Sequence, residues 1–218
     1  RPAALELLKA GLDKEPSPSP DAQAFLAYLL LETGDALAAG NLAEDAVRRG
    51  PDGAKGHLVL AACLRRQQRF DEATEHARRA VRLAPADSSA YEQLVSLLLA
   101  GHEHMDEAIQ IAREGLAVAP FSPELHFSLG TALALRGETA EGVFQLQLAS
   151  RIKPNWAGPH FMLGTTLLRQ RKLTEATQYL QAAVLLEPGD AATHCELATA
   201  LNAQGLTTEA ITHYTEAL

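Results

Sequence analysis

The sequence predicts an all-α fold in which similar helical hairpins stack beside one another. The first observation is a nearly constant spacing of prolines, with intervals of 34 or 35 residues between Pro51, Pro85, Pro120, Pro154 and Pro188. The second is composition: hydrophobic residues make up 47% of the 218 residues and aromatic residues only 5%, and Leu and Ala, both strong helix formers, dominate. A regular period of this length indicates a repeat protein, in which each repeat covers the apolar face of its neighbour.

The segment from Ala157 to Asp190 illustrates how one repeat is built. Each half carries small or apolar residues at helical spacing, namely Leu163, Gly164, Leu167, Ala176, Leu180 and Ala183. The polar pair Arg171-Lys172 interrupts this pattern, as a turn between two helices would. Pro188 ends the second helix, because proline has no N–H to donate and its ring clashes with the preceding turn. The segment therefore predicts a helical hairpin.

Counted from Ala157 as position 1, this segment resembles the tetratricopeptide repeat (TPR) family. The residues that match the family pattern at positions 4, 7, 8, 11, 20, 24, 27 and 32 are His160, Leu163, Gly164, Leu167, Ala176, Leu180, Ala183 and Pro188. The resemblance covers nearly the whole chain in about six copies. It implies a right-handed α-α superhelix, the TPR solenoid, but does not specify a function, because this family hosts many binding roles.

In chain order, residues 1–19 are predicted to form the second helix of a truncated repeat and a Pro/Ser-rich link. Complete repeats follow at 20–53, 54–87, 88–122, 123–156 and 157–190, and a truncated repeat occupies 191–218. The third repeat has one extra residue, which fits best in the turn Gly101–His104. Small residues at positions 8, 20 and 27 are expected where helix backbones approach closely, so larger side chains there would overpack the hairpin.

Solenoids usually end in a helix with a polar outer face. The final helix, Leu206–Leu218, is not polar in this way, so we expect it to expose an apolar face. Two alternatives follow from this expectation: the chain associates end to end with another copy, or the natural protein continues beyond this fragment. Both cysteines, Cys63 and Cys195, have apolar neighbours and are interpreted as small buried residues. Their use as free thiols is typical of a reducing compartment and favours a cytoplasmic location.

The charge distribution excludes some classes of partner. The formal net charge of −8 argues against general binding to nucleic acids or anionic membranes. Between Arg48 and Arg82, however, nine basic residues stand against four acidic ones, a local excess of five positive charges. This basic band is either a solvated helix face or a surface that meets an acidic partner.

No arrangement typical of an active site is visible in the sequence. It contains no Gly-rich phosphate loop, no nucleophile-elbow serine and no paired-cysteine metal motif. Four histidines recur at position 4: His57, His126, His160 and His194. They could be read as a metal ladder, but the TPR resemblance places a bulky packing residue at this position, and we favour that interpretation. We therefore predict no catalytic residues, no metal and no cofactor.

The resemblance also implies a binding surface, since first helices of successive TPRs line a concave groove and positions 2, 5, 9, 12 and 13 tend to face it. The predicted groove residues are Tyr28, Arg65, Arg66, Phe127, Thr131, Phe161, Thr165 and Thr199. The Lys and Asn residues of chaperone-binding TPRs are missing from positions 5 and 9, and position 6 lacks the asparagine ladder of O-linked N-acetylglucosamine transferases. For Phe127 and Phe161 two interpretations remain open: they contact a ligand, or they are half-buried within the chain.

These observations predict a non-catalytic scaffold for protein–protein interaction that binds a peptide or protein segment, apolar or acidic, in its groove. The alternative is a substrate-recruiting arm of a larger enzyme of the glycosyltransferase or hydroxylase type. An enzyme in its own right has no residues to support it.

Overall fold

The computed structural model describes residues 18–101 and 104–218, and within them all regular secondary structure is helical. The chain divides into two compact units, one ending at Val118 and the other beginning at Ala119. The helices of the first unit are α1 (Pro20–Thr33), α2 (Ala36–Arg49), α3 (Ala54–Arg66), α4 (Phe70–Leu83), α5 (Ser88–Ala100) and α6 (Met105–Val118). Those of the second unit are α7 (Pro123–Arg136), α8 (Thr139–Ile152), α9 (Ala157–Arg169), α10 (Leu173–Leu186), α11 (Ala191–Ala203) and α12 (Thr207–Glu216).

Consecutive helices pair into six hairpins, α1 with α2 through to α11 with α12. Within the first unit α2 packs on α3 and α4 packs on α5, and within the second α8 packs on α9 and α10 packs on α11. Within each unit, a hairpin therefore shares its core with the next one, because a single hairpin would leave apolar surface exposed to water. The prediction of an all-α solenoid of about six stacked hairpins is confirmed.

Local sequence signals determine where the helices begin and end. Ser19 caps α1 by accepting a hydrogen bond from the backbone N–H of Ala22, and Pro20 occupies the first helical position, where its missing N–H costs nothing. Ser122 caps α7 in the same way, followed by Pro123. Four residues separate α5 from α6, against two or three within every other hairpin, which agrees with an insertion in this turn.

The turn at position 15 of five repeats requires a left-handed backbone. Glycine supplies it at Gly34, Gly137 and Gly205, where φ lies between 82° and 96°. In the second and fifth repeats Gln68 and Arg171 adopt the same conformation with φ of 63°, although a side chain makes it less favourable. Tight connection of two antiparallel helices therefore imposes this conformation whichever residue is present.

Small residues make the close helix contacts possible, as the sequence predicts. The residues at position 8 are all buried: Ala27, Ala61, Val95, Gly130, Gly164 and Ala198. In the fourth hairpin Gly130 faces Gly142, and a Cβ atom added to Gly130 would lie 2.9 Å from the Gly142 carbonyl oxygen. A Cβ atom added to Gly142 would lie 3.0 Å from the Gly130 oxygen in return. Backbone packs directly on backbone at this point, so α7 and α8 approach closely.

The two cysteines differ, which corrects the expectation that both are buried. Cys63 is fully buried in the core of the first unit, and burial raises the pKa of its thiol to about 11, so it stays protonated and unreactive. Cys195 is exposed, because position 5 of α11 points away from the core. The predicted helix of the truncated first repeat, at residues 3–15, and the turn residues His102 and Glu103 lie outside the described residues.

Candidate functional site

The first helices of neighbouring hairpins form a continuous row within each unit. In the first unit α1 contacts α3 and α3 contacts α5, and in the second unit α7 contacts α9 and α9 contacts α11. We call the predicted groove residues on these rows the first-unit face (Tyr28, Arg65 and Arg66) and the second-unit face (Phe127, Thr131, Phe161, Thr165 and Thr199).

On the second-unit face, Phe127 packs against Trp156, which lies in the turn before α9. Their ring centroids are 4.7 Å apart and the ring planes are tilted by 54°. The Lys153 ammonium lies 4.8 Å from the centroid of the Trp156 ring, a cation–π contact. Gly158 leaves room for this arrangement, since a Cβ atom there would lie 3.1 Å from the indole nitrogen. Phe127 is consequently half-buried, with one edge held by its own chain and the remainder open to solvent.

Phe161 is also half-buried, and its inner side packs on the apolar cluster that contains Leu180, Leu197 and Leu201. These leucines belong to α10 and α11, so Phe161 covers the joint between the fifth and sixth hairpins. Both phenylalanines therefore contribute to packing and still present part of their rings at the surface of successive first helices. The interpretation that they are half-buried within the chain is therefore correct, and their contact with a ligand stays a prediction.

The threonines of the second-unit face differ in how their hydroxyl groups are satisfied. The Thr165 hydroxyl donates to the Met162 carbonyl oxygen at 3.2 Å, and the Thr199 hydroxyl donates to the Cys195 carbonyl oxygen at 2.9 Å. The Thr199 and Tyr214 hydroxyl oxygens are also 3.1 Å apart. The Thr131 hydroxyl is buried and has no hydrogen-bond partner among the described residues. Since most of these hydroxyls bond within the chain, the face is mainly apolar in character.

The first-unit face combines an exposed aromatic pair with two arginines. Tyr28 lies one turn after Phe25 on α1, and both rings are exposed. Arg65 and Arg66 are exposed at the end of α3, and an Arg65 guanidinium nitrogen lies 3.4 Å from the Ser96 hydroxyl of α5. Arg65 thus reaches across two neighbouring first helices, where its remaining donors are accessible to a carboxylate.

The sequence did not identify Phe25 or Trp156 as part of these faces. Phe25 occupies position 6, which the resemblance does not count among groove positions, and its exposure next to Tyr28 depends on how α1 packs on α2 and α3. Trp156 lies in a turn between repeats. Its contact with Phe127 depends on the path of that turn, which no repeat-position pattern describes.

The four position-4 histidines serve as packing residues with fixed hydrogen bonds. In each ring Nε2 lies 3.0 to 3.3 Å from the carbonyl oxygen of the repeat-ending proline six residues earlier. A carbonyl oxygen only accepts, so Nε2 carries the hydrogen in every case. Tyr91 makes the equivalent bond to the Pro85 oxygen in the third repeat. The ring at position 4 therefore ties each hairpin to the turn that precedes it.

The second ring nitrogen, Nδ1, contacts position 23 of the same repeat in three cases. The partners are His76, Gln145 and His213, at 2.8, 2.7 and 3.1 Å. Because both nitrogens are used within the protein, these rings are not presented as metal ligands. In the part of the chain that the structure describes, no group of three or more His, Cys, Asp and Glu side chains is arranged to hold a metal ion.

The geometry defines the chain as a helical-hairpin repeat protein with extended side-chain faces. A family profile described as the tetratricopeptide repeat matches residues 26–88, 96–155 and 161–218. The chain therefore belongs to the tetratricopeptide repeat family. A comparison with curated proteins finds no match.

Solved structures share this fold at low sequence identity. The crystal structure of the Cut9–Hcn1 hetero-tetramer of the APC/C matches 99% of the chain with a TM-score of 0.86 and 20% identity. The type IV pilus biogenesis factor PilW matches 89% with a TM-score of 0.82 and 18% identity, and 90% of PilW is covered. YrrB, a TPR protein with an unusual peptide-binding site, matches 92% with a TM-score of 0.68 and 17% identity, and 99% of YrrB is covered. The chain spans only 43% of the Cut9–Hcn1 chain that it matches.

Among the described residues, none of the helices is both long enough and apolar enough to span a lipid bilayer.

Proposed function

We propose that this protein is a non-catalytic scaffold for protein–protein interaction, and that it binds peptide segments on its first-helix faces. The observation that carries the proposal is the partial exposure of Phe127 and Phe161 on successive first helices. Rings held in place by their own chain lose little conformational freedom when a ligand covers them, so they are efficient contact residues. The TPR fold and its likeness to the peptide-binding protein YrrB agree with such a role.

The two faces favour different chemistry. The second-unit face is apolar, so it suits the apolar side of an extended or helical segment. The first-unit face adds Arg65 and Arg66 to the aromatic side chains of Phe25 and Tyr28, so it suits a segment that combines an apolar and an acidic residue. A role as the recruiting arm of a larger enzyme would use the same faces and stays a prediction.

The experiment begins with a displayed peptide library selected on the wild-type chain, which supplies defined ligands. Their Kd is then measured by fluorescence anisotropy on the double variant Phe127→Ala, Phe161→Ala. We expect affinity to fall about tenfold or more, because truncating a central aromatic contact usually costs at least this much.

A matched control comes from exposed apolar residues on second helices of the same unit. Phe144 of α8 is 55% exposed and Leu185 of α10 is 81% exposed. The double variant Phe144→Ala, Leu185→Ala should bind the selected peptides as the wild type does. The proposal fails if both double variants bind alike while circular dichroism confirms that both remain folded.

A further inference from the structure

An open cavity of about 350 Å³ lies outside the first-helix faces, between the first two described hairpins. Its apolar wall is formed by Val47 of α2 and by Pro51 in the turn that follows α2. The rest of the lining is polar and comes from α3 and α4: His57, Glu75, His76, Arg79 and Arg82. The cavity therefore combines two guanidinium groups and two imidazoles with a single carboxylate.

The two arginines of this cavity have guanidinium N–H groups that no close ion pair occupies. Arg79 makes one long contact of 3.5 Å with Asp52, and both side chains are well exposed, so this ion pair is weak. No carboxylate of a described residue lies within ion-pair distance of Arg82. The Glu75 carboxylate, in contrast, lies 2.6 Å from Arg78, which also pairs with Glu107. The lining thus presents two guanidinium groups without a tight ion pair beside an open cavity, an arrangement that attracts anions.

The His57–His76 pair adds a proton-dependent donor to the cavity. His57 uses Nε2 to donate to the Pro51 carbonyl oxygen at 3.0 Å, so its Nδ1 must accept when the ring is neutral. His76 Nδ1, 2.8 Å away, must then donate the shared proton. This assignment leaves Nε2 of His76 for a ligand. In a neutral ring it is an acceptor, and in a protonated ring it is a donor.

We propose that this cavity binds a phosphate group, held by the guanidinium groups of Arg79 and Arg82 and by protonated His76. Arg79 and Arg82 lie three residues apart on α4, so their side chains share one helix face and can converge on one anion. A phosphate has three terminal oxygens and up to two negative charges, which matches three cationic donors better than a single carboxylate does. The site is separate from the peptide-binding faces, so each proposal can fail without the other.

Binding should be linked to protons through His76. Burial, His57 and Arg79 lower the pKa of His76, whereas Glu72 and Glu44 raise it. The other charged groups near the cavity are Glu75, Arg82 and Asp52. A bound dianion would favour the charged imidazole, so the complex should take up a proton and tighten as pH falls.

The first test is calorimetric titration of the full chain with sulfate, which remains a dianion over the whole pH range used. We expect the double variant Arg79→Gln, Arg82→Gln to lose about tenfold or more in affinity, because charge-assisted hydrogen bonds to the anion are removed. The control is Arg151→Gln, Lys172→Gln, which removes the same charge from exposed positions of the second unit. An equal loss of sulfate affinity in both double variants would show that only the overall charge matters, and would overturn the proposal.

The second test compares about pH 6 with about pH 8, on either side of the ordinary pKa of histidine. Sulfate should bind several-fold more tightly to the wild type at the lower pH, and His76→Gln should abolish this difference. Unchanged pH dependence in His76→Gln would remove His76 from the site. Inorganic phosphate and a phosphoserine peptide then distinguish the source: tighter binding of the peptide indicates a modified protein partner, and equal binding indicates a free anion.

Discussion

Arg78 and Glu107 form a bidentate ion pair that joins the second helices of two consecutive hairpins. Arg78 Nε donates to one carboxylate oxygen at 2.9 Å, and Nη2 donates to the other at 2.8 Å. The residues are 29 positions apart and belong to α4 and α6, so the pair forms only when the hairpins are stacked. It therefore reports on the docking of the second hairpin against the third.

The Glu107→Gln variant should destabilise the first unit by about 1 kcal/mol, a modest value because both side chains are partly exposed. The hydrogen bond from Arg78 holds the pKa of Glu107 below its ordinary value. The stabilisation is therefore complete above about pH 4.3 and is lost as pH falls through the lowered pKa. Urea unfolding as a function of pH measures both effects. Glu75→Gln is the control, since Glu75 contacts Arg78 within one helix and is more exposed; an equal loss there would contradict the role of the interhelical pair.

The His57–His76 and His194–His213 pairs should make stability sensitive to acid. Burial, followed by the neighbouring histidine, lowers the pKa of His76 and of His213. The neutral rings are stabilising above about pH 6.5, and this contribution is lost as pH falls through the lowered pKa values. The double variant His76→Gln, His213→Gln introduces the residue that the fourth repeat carries at the same position, Gln145. It should preserve Tm near neutrality and reduce the fall of Tm in mild acid.

Calorimetric scans at about pH 7.5 and about pH 5 measure this difference. The two pairs contain four of the chain's eight histidines. His126 and His160 also occupy position 4 and are unchanged in the double variant, so they provide an internal comparison. Parallel curves for the wild type and the variant would show that the acid sensitivity arises elsewhere.

The left-handed residue in the turn between α9 and α10 offers a gain in stability. Arg171 adopts a φ of 63°, whereas the fourth repeat uses Gly137 at the equivalent position. Arg171→Gly should raise the free energy of unfolding by up to about 1 kcal/mol, because relief of the unfavourable conformation exceeds the entropic cost of glycine. The reverse change, Gly137→Ala, should lower it by about 1 kcal/mol, although no atom lies within 4 Å of the added Cβ. Effects of the same sign in both variants would rule out this conformational explanation.

Overpacking at position 20 should damage the α9–α10 hairpin more than a surface change on the same helix. Ala176 is fully buried, and the backbone of α10 passes so close to Gly164 that an added Cβ would lie 3.2 Å from the Ala176 oxygen. Ala176→Leu should therefore cost roughly 1–3 kcal/mol. Gln178→Leu adds the same side chain at an exposed site and should be nearly neutral. Equal melting temperatures for the two variants would contradict the placement of position 20 in the joint.

We predict that the exposed apolar residues of α12 bring copies of the chain into contact. Ile211 is 60% exposed and Tyr214 is 42% exposed, as expected for the apolar face predicted at the final helix. We expect light scattering to give a mass that increases with protein concentration, and Ile211→Lys to suppress the increase by placing a charge on this face. A constant monomer mass over the same concentrations would contradict end-to-end association.

Much of the fold could be predicted because it depends on local periodic signals. A proline at position 32 recurs in all five complete repeats, and position 20 is Ala or Gly in all six. One packing solution therefore satisfies all copies. The histidines at position 4 were interpreted as packing residues from the family resemblance, and His57, His126 and His194 are indeed buried. Their bonds to proline carbonyl oxygens were not anticipated, because these depend on the path of the preceding turn.

The features that escaped prediction depend on contacts between repeats. The bidentate pair between Arg78 and Glu107 requires the relative position of two second helices, and sequence spacing alone does not provide it. Cys195 lies at position 5, where the family pattern implied exposure, but its apolar neighbours suggested burial. Two interpretations of the basic band were open, a solvated helix face or a surface for an acidic partner. In the structure, Arg79 and Arg82 of this band line a cavity that forms only when the hairpins stack.

The facing glycines of the α7–α8 hairpin restrict how this repeat can change during evolution. Alanine is favoured over glycine inside helices, so substitutions toward alanine are accepted at most such sites. At Gly130 and Gly142, however, a methyl group would strike main-chain atoms of the opposite helix, and a single mutation cannot move a backbone aside. Descendants of this protein should therefore retain both glycines, or lose them only together with a shift of α7 that also repositions Phe127.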